Sequence, residues 1–174
     1  LLYIIDGMGH GVVPSLTTFA VAGRIREYIS NHDNFDGLMQ YLVNSLHGIL
    51  DDAEQLSYSF VNIDLEEKEI KYAIGGMYPA IIMHDNEVVR YKANNIPMMN
   101  FTQSINVDTI SFESFEKILL YSDGLVEEDG ISSELFEPKK LIKDEILLDG
   151  MIDIFSKHKN EDDVTIIYLK NRES

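Results

Sequence analysis

The chain has 174 residues, no cysteine, and 14 Lys and Arg against 30 Asp and Glu, which gives a formal net charge of −16. This length suits one domain with a sizeable core. The lack of cysteine excludes a disulfide scaffold, a thiol nucleophile and a cysteine-ligated zinc or iron–sulfur site. The acidic balance leaves no basic surface for nucleic acid or anionic lipid, so neither is expected as a partner.

The first element is a predicted strand over Leu1–Ile5, a continuous apolar run stopped by the glycine-rich turn DGMGHG. The sequence starts inside this run and without an initiator Met, which predicts a fragment of a longer protein. Pro14 is well placed for the first turn of a helix. Four residues recur at helical spacing after it, and their small members predict that this face approaches a sheet closely: Leu16, Phe19, Ala20 and Gly23.

A second helix has the strongest periodicity in the chain, and Asp33 or Asn34 can cap its start. One apolar stripe defines it, and we expect this stripe to face the core: Phe35, Leu38, Met39, Leu42, Val43, Leu46, Ile49 and Leu50.

The period then changes to two, which is typical of strands. Alternation from Leu56 to Val61 leads through a Glu66-Glu67 turn into Ile70–Ile74, and a hairpin joins Ala80–Met83 to Glu87–Tyr91 across Asp85-Asn86. Further predicted strands are Val107–Phe112, Lys117–Ser122 and Val164–Leu169, with a helical stretch from Pro138 to Phe155 before the last. This order indicates an α+β fold rather than repeated βαβ units. No apolar run approaches the roughly 20 residues that span a bilayer, so no membrane insertion of this segment and a cytoplasmic location are expected.

Acidic turns flank three apolar strands: Asp6-Gly7 after LLYII, Ser122-Asp123-Gly124 after KILLY, and Glu161-Asp162-Asp163 before VTIIYL. Taken singly, each is ordinary, because Asp-Gly is a common turn dipeptide. If the strand ends converge, the carboxylates form a cluster whose repulsion a metal ion would relieve. Carboxylate oxygens favour Mg²⁺ or Mn²⁺ over zinc.

Four strings, DGMGHG, GGMYPA, LLYSDGLVE and EDDVT, occur in the order and spacing of the PPM-type metal-dependent protein serine/threonine phosphatases. They most resemble the bacterial SpoIIE-like branch, whose patterns are D-x-x-G-H-G, A-G-H-x-P, [ST]-D-G-x-x-E and D-D-x-T. The resemblance runs from Ile5 to about Leu169. It implies a single phosphatase domain over residues 1–174 with the PPM αββα sandwich, two antiparallel sheets flanked by helices, lacking its N-terminal strand.

The resemblance also implies the mechanism. Two divalent cations, Mn(II) or Mg(II), would activate a water that hydrolyses phosphoserine or phosphothreonine on a protein substrate. Asp6 would bridge the two ions and the Gly7 carbonyl would coordinate one of them. Asp123 would ligate the second ion, and Asp162 would do the same from the final turn. Asp163 remains open as an alternative to Asp162.

The other motif positions have smaller expected roles. His10 has two open roles, donating a proton to the leaving oxygen or packing at the helix start, and the second is favoured. Gly9 and Gly11 are expected to let the backbone turn sharply. Met77 stands where the family pattern has His, so that polar role is lost, and Glu127 is expected to be structural.

The PPM pattern has one more acidic ligand upstream, in a G-D-[FY]-x-D-like strand that this sequence does not contain. We expect the strand to lie outside this segment, which alone would hold metal weakly and expose a sheet edge. In this branch the domain commonly follows a receiver, GAF or PAS sensor on the same chain. The implied substrate is a phosphorylated STAS-domain anti-sigma-factor antagonist.

The sequence bears on three other functions. A catalytically silent phosphatase-like module that binds or signals is favoured by the missing upstream ligand, while the retained Asp6, Asp123 and Asp162 argue against it. A divalent-cation sensor is not supported, because the sequence has no EF-hand-like D-x-D-x-D loop. A dinucleotide site is rejected because the glycine turn lacks G-x-G-x-x-G spacing and no βαβ unit follows.

Overall fold

Two compact units make up the part of the chain that the structure describes. The computed structural model describes residues 1–9, 11–125, 142–143, 149–150 and 164–172. The first unit contains Leu1–Asp64, Glu69–Met77 and Ala93–Ile110, and the second contains Leu65–Lys68, Tyr78–Lys92 and the described residues from Ser111 onward. Each unit has one four-stranded sheet, in agreement with the α+β prediction. The helical stretch predicted from Pro138 to Phe155 lies almost wholly outside the described residues.

The sheet of the first unit has four strands: β1 (Leu2–Gly7), β2 (Leu56–Asp64), β3 (Glu69–Gly75) and β6 (Asp108–Ser111). Their order is β1-β2-β3-β6, with β1 and β6 at the edges. The register pairs Tyr3 with Phe60 and Ile5 with Tyr58. Side chains alternate between the faces of a strand, so these four side chains share one face of the sheet. That face packs in the apolar core of this unit.

The sheet of the second unit also has four strands: β4 (Ala80–His84), β5 (Glu87–Tyr91), β7 (Phe115–Tyr121) and β8 (Ile166–Lys170). Their order is β5-β4-β7-β8, and every neighbouring pair is antiparallel. The hairpin predicted across Asp85-Asn86 is confirmed. This unit has its own apolar cluster, built around the buried side chains of Ile81, Leu119, Tyr121, Leu125 and Ile142.

Two helices belong to the first unit, α1 (Val12–Ile29) and α2 (Phe35–Leu46). Among the described residues, no helix is long and apolar enough to cross a membrane. In α2 the predicted stripe is buried from Phe35 to Leu46. Asn34, rather than Asp33, caps the helix, because its side-chain oxygen accepts a hydrogen bond from the Gly37 amide at 3.0 Å. The helix ends before Ile49 and Leu50, which the same stripe had included.

Helix α1 packs through a different face from the predicted one. Leu16 and Phe19 are 62% and 75% exposed, so the expectation that their face approaches a sheet was wrong. The buried residues are Thr17, Val21 and Ile25, at spacings of four. Both faces of α1 are apolar, so periodicity alone could not choose between them. On the buried face the Thr17 hydroxyl donates to Glu54 Oε1 at 2.6 Å, and Val21 and Ile25 are fully buried in the core of the first unit.

The turn of the β4–β5 hairpin is held by the side chain of its first residue. Asp85 and Asn86 have φ of 52° and 64°, as a two-residue type I′ turn requires. Asp85 Oδ1 accepts hydrogen bonds from the amides of Ser114 at 2.7 Å and Glu113 at 2.8 Å, and its Oδ2 lies 3.1 Å from His84 Nδ1. Hydrogen bonds lower the Asp85 pKa to about 2. The bond from the Ser114 amide has the largest effect, followed by those from His84 and the Glu113 amide.

We predict that Asp85→Asn removes a pH-dependent part of the stability while keeping a residue that tolerates positive φ. Because the Asp85 pKa is depressed to about 2 in the fold, its stabilisation is present above the ordinary Asp pKa near 4 and is lost as the pH falls through about 2. The difference in unfolding free energy between the parent and Asp85→Asn should therefore be constant above about pH 5 and shrink below about pH 4.

The measurement is urea unfolding followed by circular dichroism across this pH range. The matched control is Asp33→Asn, the same change at an exposed Asp outside the hairpin. Equal pH slopes for the two variants would contradict the role given to Asp85.

Candidate metal centre

Asp6 lies at the carboxyl end of β1, next to last in the strand. It pairs directly with Ser57 of β2, and Gly7 pairs with Leu56. The Met8 amide then donates to the Gln55 carbonyl at 3.0 Å, which continues the pairing one residue past the strand. Asp6 is half-buried. Its carboxylate therefore projects from ordered, hydrogen-bonded backbone rather than from the following turn.

The glycines after Asp6 let the chain pass from β1 directly into α1. A Cβ on Gly7 would lie 3.0 Å from Pro14 Cβ, so the end of the strand packs against the first turn of the helix. Gly9 and Gly11 have φ of 91° and 110°, which L side chains rarely adopt. The prediction that both glycines turn the backbone is confirmed. His10, between them, lies outside the described residues.

The GGMYPA segment approaches the same end of the first sheet. Gly76 has φ of 65°, and a Cβ there would lie 2.6 Å from Pro97 Cγ and 2.7 Å from the Ser57 hydroxyl oxygen. Ser57 is thus bracketed by Asp6 across the strand pair and by Gly76. Met77 is buried, at 7% exposure, as an apolar residue should be where the family pattern has His. Sequence reasoning missed Ser57, because only the register of β1 against β2 places it opposite Asp6.

Asp123 lies two residues after the end of β7, in the 3-10 turn Asp123–Leu125. Its Oδ1 accepts a hydrogen bond from the Gly124 amide at 2.9 Å. The residue before it is held from two directions: the Ser122 amide donates to the Thr165 carbonyl at 3.0 Å, and the Thr165 amide donates to the Ser122 hydroxyl oxygen at 2.9 Å. These bonds fix the backbone from which the Asp123 carboxylate projects.

The three acidic turns are described to different extents. Asp6 belongs to the first unit and Asp123 to the second, while Asp162, Asp163 and Glu127 lie outside the described residues. In the described part of the chain, no group of three or more His, Cys, Asp or Glu side chains is placed to hold a metal ion. Convergence of the three turns on one centre remains a prediction.

The two described carboxylates suit a hard divalent cation. Both are oxygen donors, which Mg²⁺ and Mn²⁺ prefer. Asp123 Oδ1 accepts one hydrogen bond from the Gly124 amide, and a carboxylate has about four acceptor positions in all. At Gly7 a Cβ would lie 3.0 Å from Pro14 Cβ, so the backbone there is held close to the first turn of α1. Donor chemistry and backbone geometry therefore fit the group that the motifs imply.

Comparison with known proteins identifies the family. The chain matches Stage II sporulation protein E (SpoIIE) over residues 1–172, and it belongs to this family. Phosphoserine phosphatase RsbP of Bacillus subtilis (strain 168) is 23% identical over 180 residues, which cover 95% of this chain and 44% of RsbP. The chain therefore spans less than half the length of that relative.

Solved structures show the fold. The PP2C phosphatase domain and regulatory-domain fragment of SpoIIE from Bacillus subtilis superposes with a TM-score of 0.73 at 18% identity, covering 97% of this chain and 53% of that one. The catalytic domain of the serine/threonine protein phosphatase PstP, in complex with two manganese ions, superposes with a TM-score of 0.70 at 9% identity. The match covers 95% of this chain and 85% of the PstP chain. The expected PPM-type fold and SpoIIE-like branch are confirmed.

We predict that Gly76→Ala destabilises the first unit by about 1–3 kcal/mol, because it forces a Cβ into a strained conformation and 2.6 Å from Pro97 Cγ. Gly48→Ala is the matched control, since its nearest neighbour would be 3.8 Å away and its effect should stay within about 0.5 kcal/mol. Urea unfolding measures both variants. Equal losses would show that the GGMYPA turn does not depend on close backbone packing.

Proposed function

We propose that this chain is a metal-dependent protein phosphatase that hydrolyses phosphoserine or phosphothreonine. The observation that carries the proposal is the SpoIIE family match over residues 1–172, which includes all four motifs. The printed activity of the relative RsbP, a phosphoserine phosphatase, supports the reaction type. The two manganese ions bound by PstP support the cofactor, two Mn(II) or Mg(II) ions. The family match also supports treating residues 1–174 as one phosphatase domain.

The proposed metal-binding residues are Asp6, the Gly7 carbonyl, Asp123 and Asp162, with Asp163 as the alternative to the last. The backbone pairing of β1 with β2, which continues to Met8, holds the backbone at Asp6 in place. The Ser122–Thr165 bonds hold the backbone at Asp123, and Thr165 is three positions after Asp162 in the sequence. The Asp123 turn is therefore anchored to the segment that enters β8.

Bound divalent ions would lower the pKa of a water enough for it to attack phosphorus at neutral pH. The chain contributes the fixed carboxylates that hold this charge, and no cysteine is present for a covalent phosphocysteine route. His10 would order the turn before α1, and its alternative role is to protonate the leaving serine or threonine oxygen.

The same family assignment supports a proposal for the substrate and its context. We propose a phosphorylated STAS-domain protein as the substrate and a sensor or receiver domain on the same polypeptide as the regulator, in a bacterial cytoplasm. A STAS domain is a folded protein rather than a small molecule. The choice of this substrate over other phosphoproteins would therefore depend on contacts outside the metal centre.

We predict Mn²⁺-dependent release of phosphate from p-nitrophenyl phosphate and from a phosphorylated STAS protein, abolished by EDTA. Asp123→Asn should lower turnover by about 100-fold or more, since removing a ligand charge weakens metal binding, and should also reduce the rise in melting temperature that Mn²⁺ causes by binding the folded state. Asp33→Asn, an exposed Asp of the same charge, should match the parent in both measurements.

The two measurements separate the competing functions. A Mn²⁺-dependent melting shift without turnover on either substrate would favour the silent signalling module. If Mn²⁺ caused no melting shift and no turnover were detected, metal binding by this chain would be contradicted. An unaffected Asp123→Asn variant would remove Asp123 from the site.

A further inference from the structure

The chain between β5 and β6 contains a closed surface loop over residues 95–106, which we call the 95–106 loop. One side chain holds its two ends together: the Asn95 amide nitrogen donates to the Asn106 carbonyl at 3.0 Å, and the Asn106 backbone amide donates to Asn95 Oδ1 at 2.7 Å. Asn94 ties the same ends to β3, because its Oδ1 accepts from the Ile74 amide at 2.9 Å. Compact loops of this length with closed ends are frequently functional.

The middle of the 95–106 loop is fixed beside the candidate metal centre. Met98 is fully buried, and it exchanges two backbone hydrogen bonds of 2.9 Å with Leu56. Leu56 also pairs with Gly7 of β1, on its other side. Met98 therefore lies two strand spacings, roughly 10 Å, from Gly7, the residue that directly follows Asp6.

The loop exposes two large apolar side chains from this fixed backbone. Ile96 is 66% exposed and Phe101 is 60% exposed. Phe101 lies in a turn in which Met99 and Thr102 are bonded twice: the Met99 amide donates to the Thr102 hydroxyl oxygen at 2.9 Å, and the Thr102 amide donates to the Met99 carbonyl at 3.0 Å. An ordered backbone loses little conformational entropy when a partner binds, so such side chains suit recognition.

The charge pattern favours an anionic partner on this side of the first unit. Residues 7–23, which follow Asp6, and residues 93–107 contain no Asp, Glu, Lys or Arg, in a chain where 25% of residues are charged and the net charge is −16. Where a carboxylate approaches the loop, at Asp52, the Asn100 side-chain amide donates a hydrogen bond to it. The rest of the chain repels a phosphorylated protein, and these two stretches add no carboxylate to that repulsion.

We propose that the 95–106 loop determines the choice of protein substrate, with Ile96 and Phe101 contacting an apolar surface beside the phosphorylated residue. This inference rests on the proposed phosphatase function. A standard interface buries about 800 Å² per partner, a disc of about 16 Å radius. A folded protein whose phosphate reaches a metal held by Asp6 therefore extends over the loop. The small ester p-nitrophenyl phosphate has no such surface.

The test compares turnover of a phosphorylated STAS protein with turnover of p-nitrophenyl phosphate, both with Mn²⁺, on the full chain. Ile96→Ser and Phe101→Ser should each lower kcat/KM for the phosphoprotein by about tenfold, through a rise in KM, and leave kcat/KM for the small ester unchanged. Their melting temperatures and the Mn²⁺-dependent melting shift should match the parent. Leu65→Ser is the matched control, because Leu65 is 56% exposed and follows β2 at the end away from Leu56.

A second comparison tests the charge pattern. At about 0.05 M NaCl, Phe101→Glu should lower kcat/KM for the phosphoprotein further than Phe101→Ser does, because the new carboxylate repels the phosphate. The difference should shrink at about 0.5 M NaCl, where salt screens this repulsion. Leu65→Glu and Leu65→Ser should not differ at either salt concentration.

Each other outcome counts against the proposal. Unchanged phosphoprotein turnover in the Ile96 and Phe101 variants overturns it, while turnover of p-nitrophenyl phosphate still supports the phosphatase function. Equal losses on both substrates also overturn it, because they would mean that the loop only supports the metal centre or contacts a regulatory domain. No turnover of either substrate by the parent contradicts the proposed function itself, and this inference falls with it.

Discussion

The register of β1 against β2 is the constraint on which the arrangement at the end of the first sheet depends. It places Tyr3 and Ile5 opposite Phe60 and Tyr58 on the face that packs in the core. Asp6 then falls on the other face, opposite Ser57. A slip of one residue would exchange the faces and move Asp6 from the side of Ser57 to the side of Tyr3 and Ile5, which packs in the apolar core of the first unit. The register that pairs these residues therefore also sets the position of Asp6.

A second constraint links α1 to the same sheet. Glu54 accepts hydrogen bonds from the Asp51 amide at 2.8 Å and from the Thr17 hydroxyl at 2.6 Å. These bonds, the Asp51 amide first, lower the pKa of Glu54. Since Glu54 precedes β2 by two residues, the contact joins the buried face of α1 to the segment that enters β2. Its geometric consequence is that the opposite, apolar face of α1 points outward.

Local signals predicted most of the elements because each element follows from short-range chemistry. Alternation of period two found the strands, and the Asp85-Asn86 pair marked a hairpin turn that requires two positive φ angles. The Gly-rich run after Asp6 predicted a sharp turn for the same reason. The end of α2 was missed because Ile49 and Leu50 continue the apolar stripe beyond the last helical residue, Leu46.

By itself, the sequence determined the α+β class, the four motifs and their family, since these depend on residue identity and order along the chain. The tertiary structure decided which of two apolar faces of α1 is buried, and it placed Ser57 opposite Asp6. Both outcomes depend on contacts between residues distant in sequence: Thr17 meets Glu54 across 37 positions, and Ser57 meets Asp6 only through strand pairing. Periodicity within one segment carries no information about such partners.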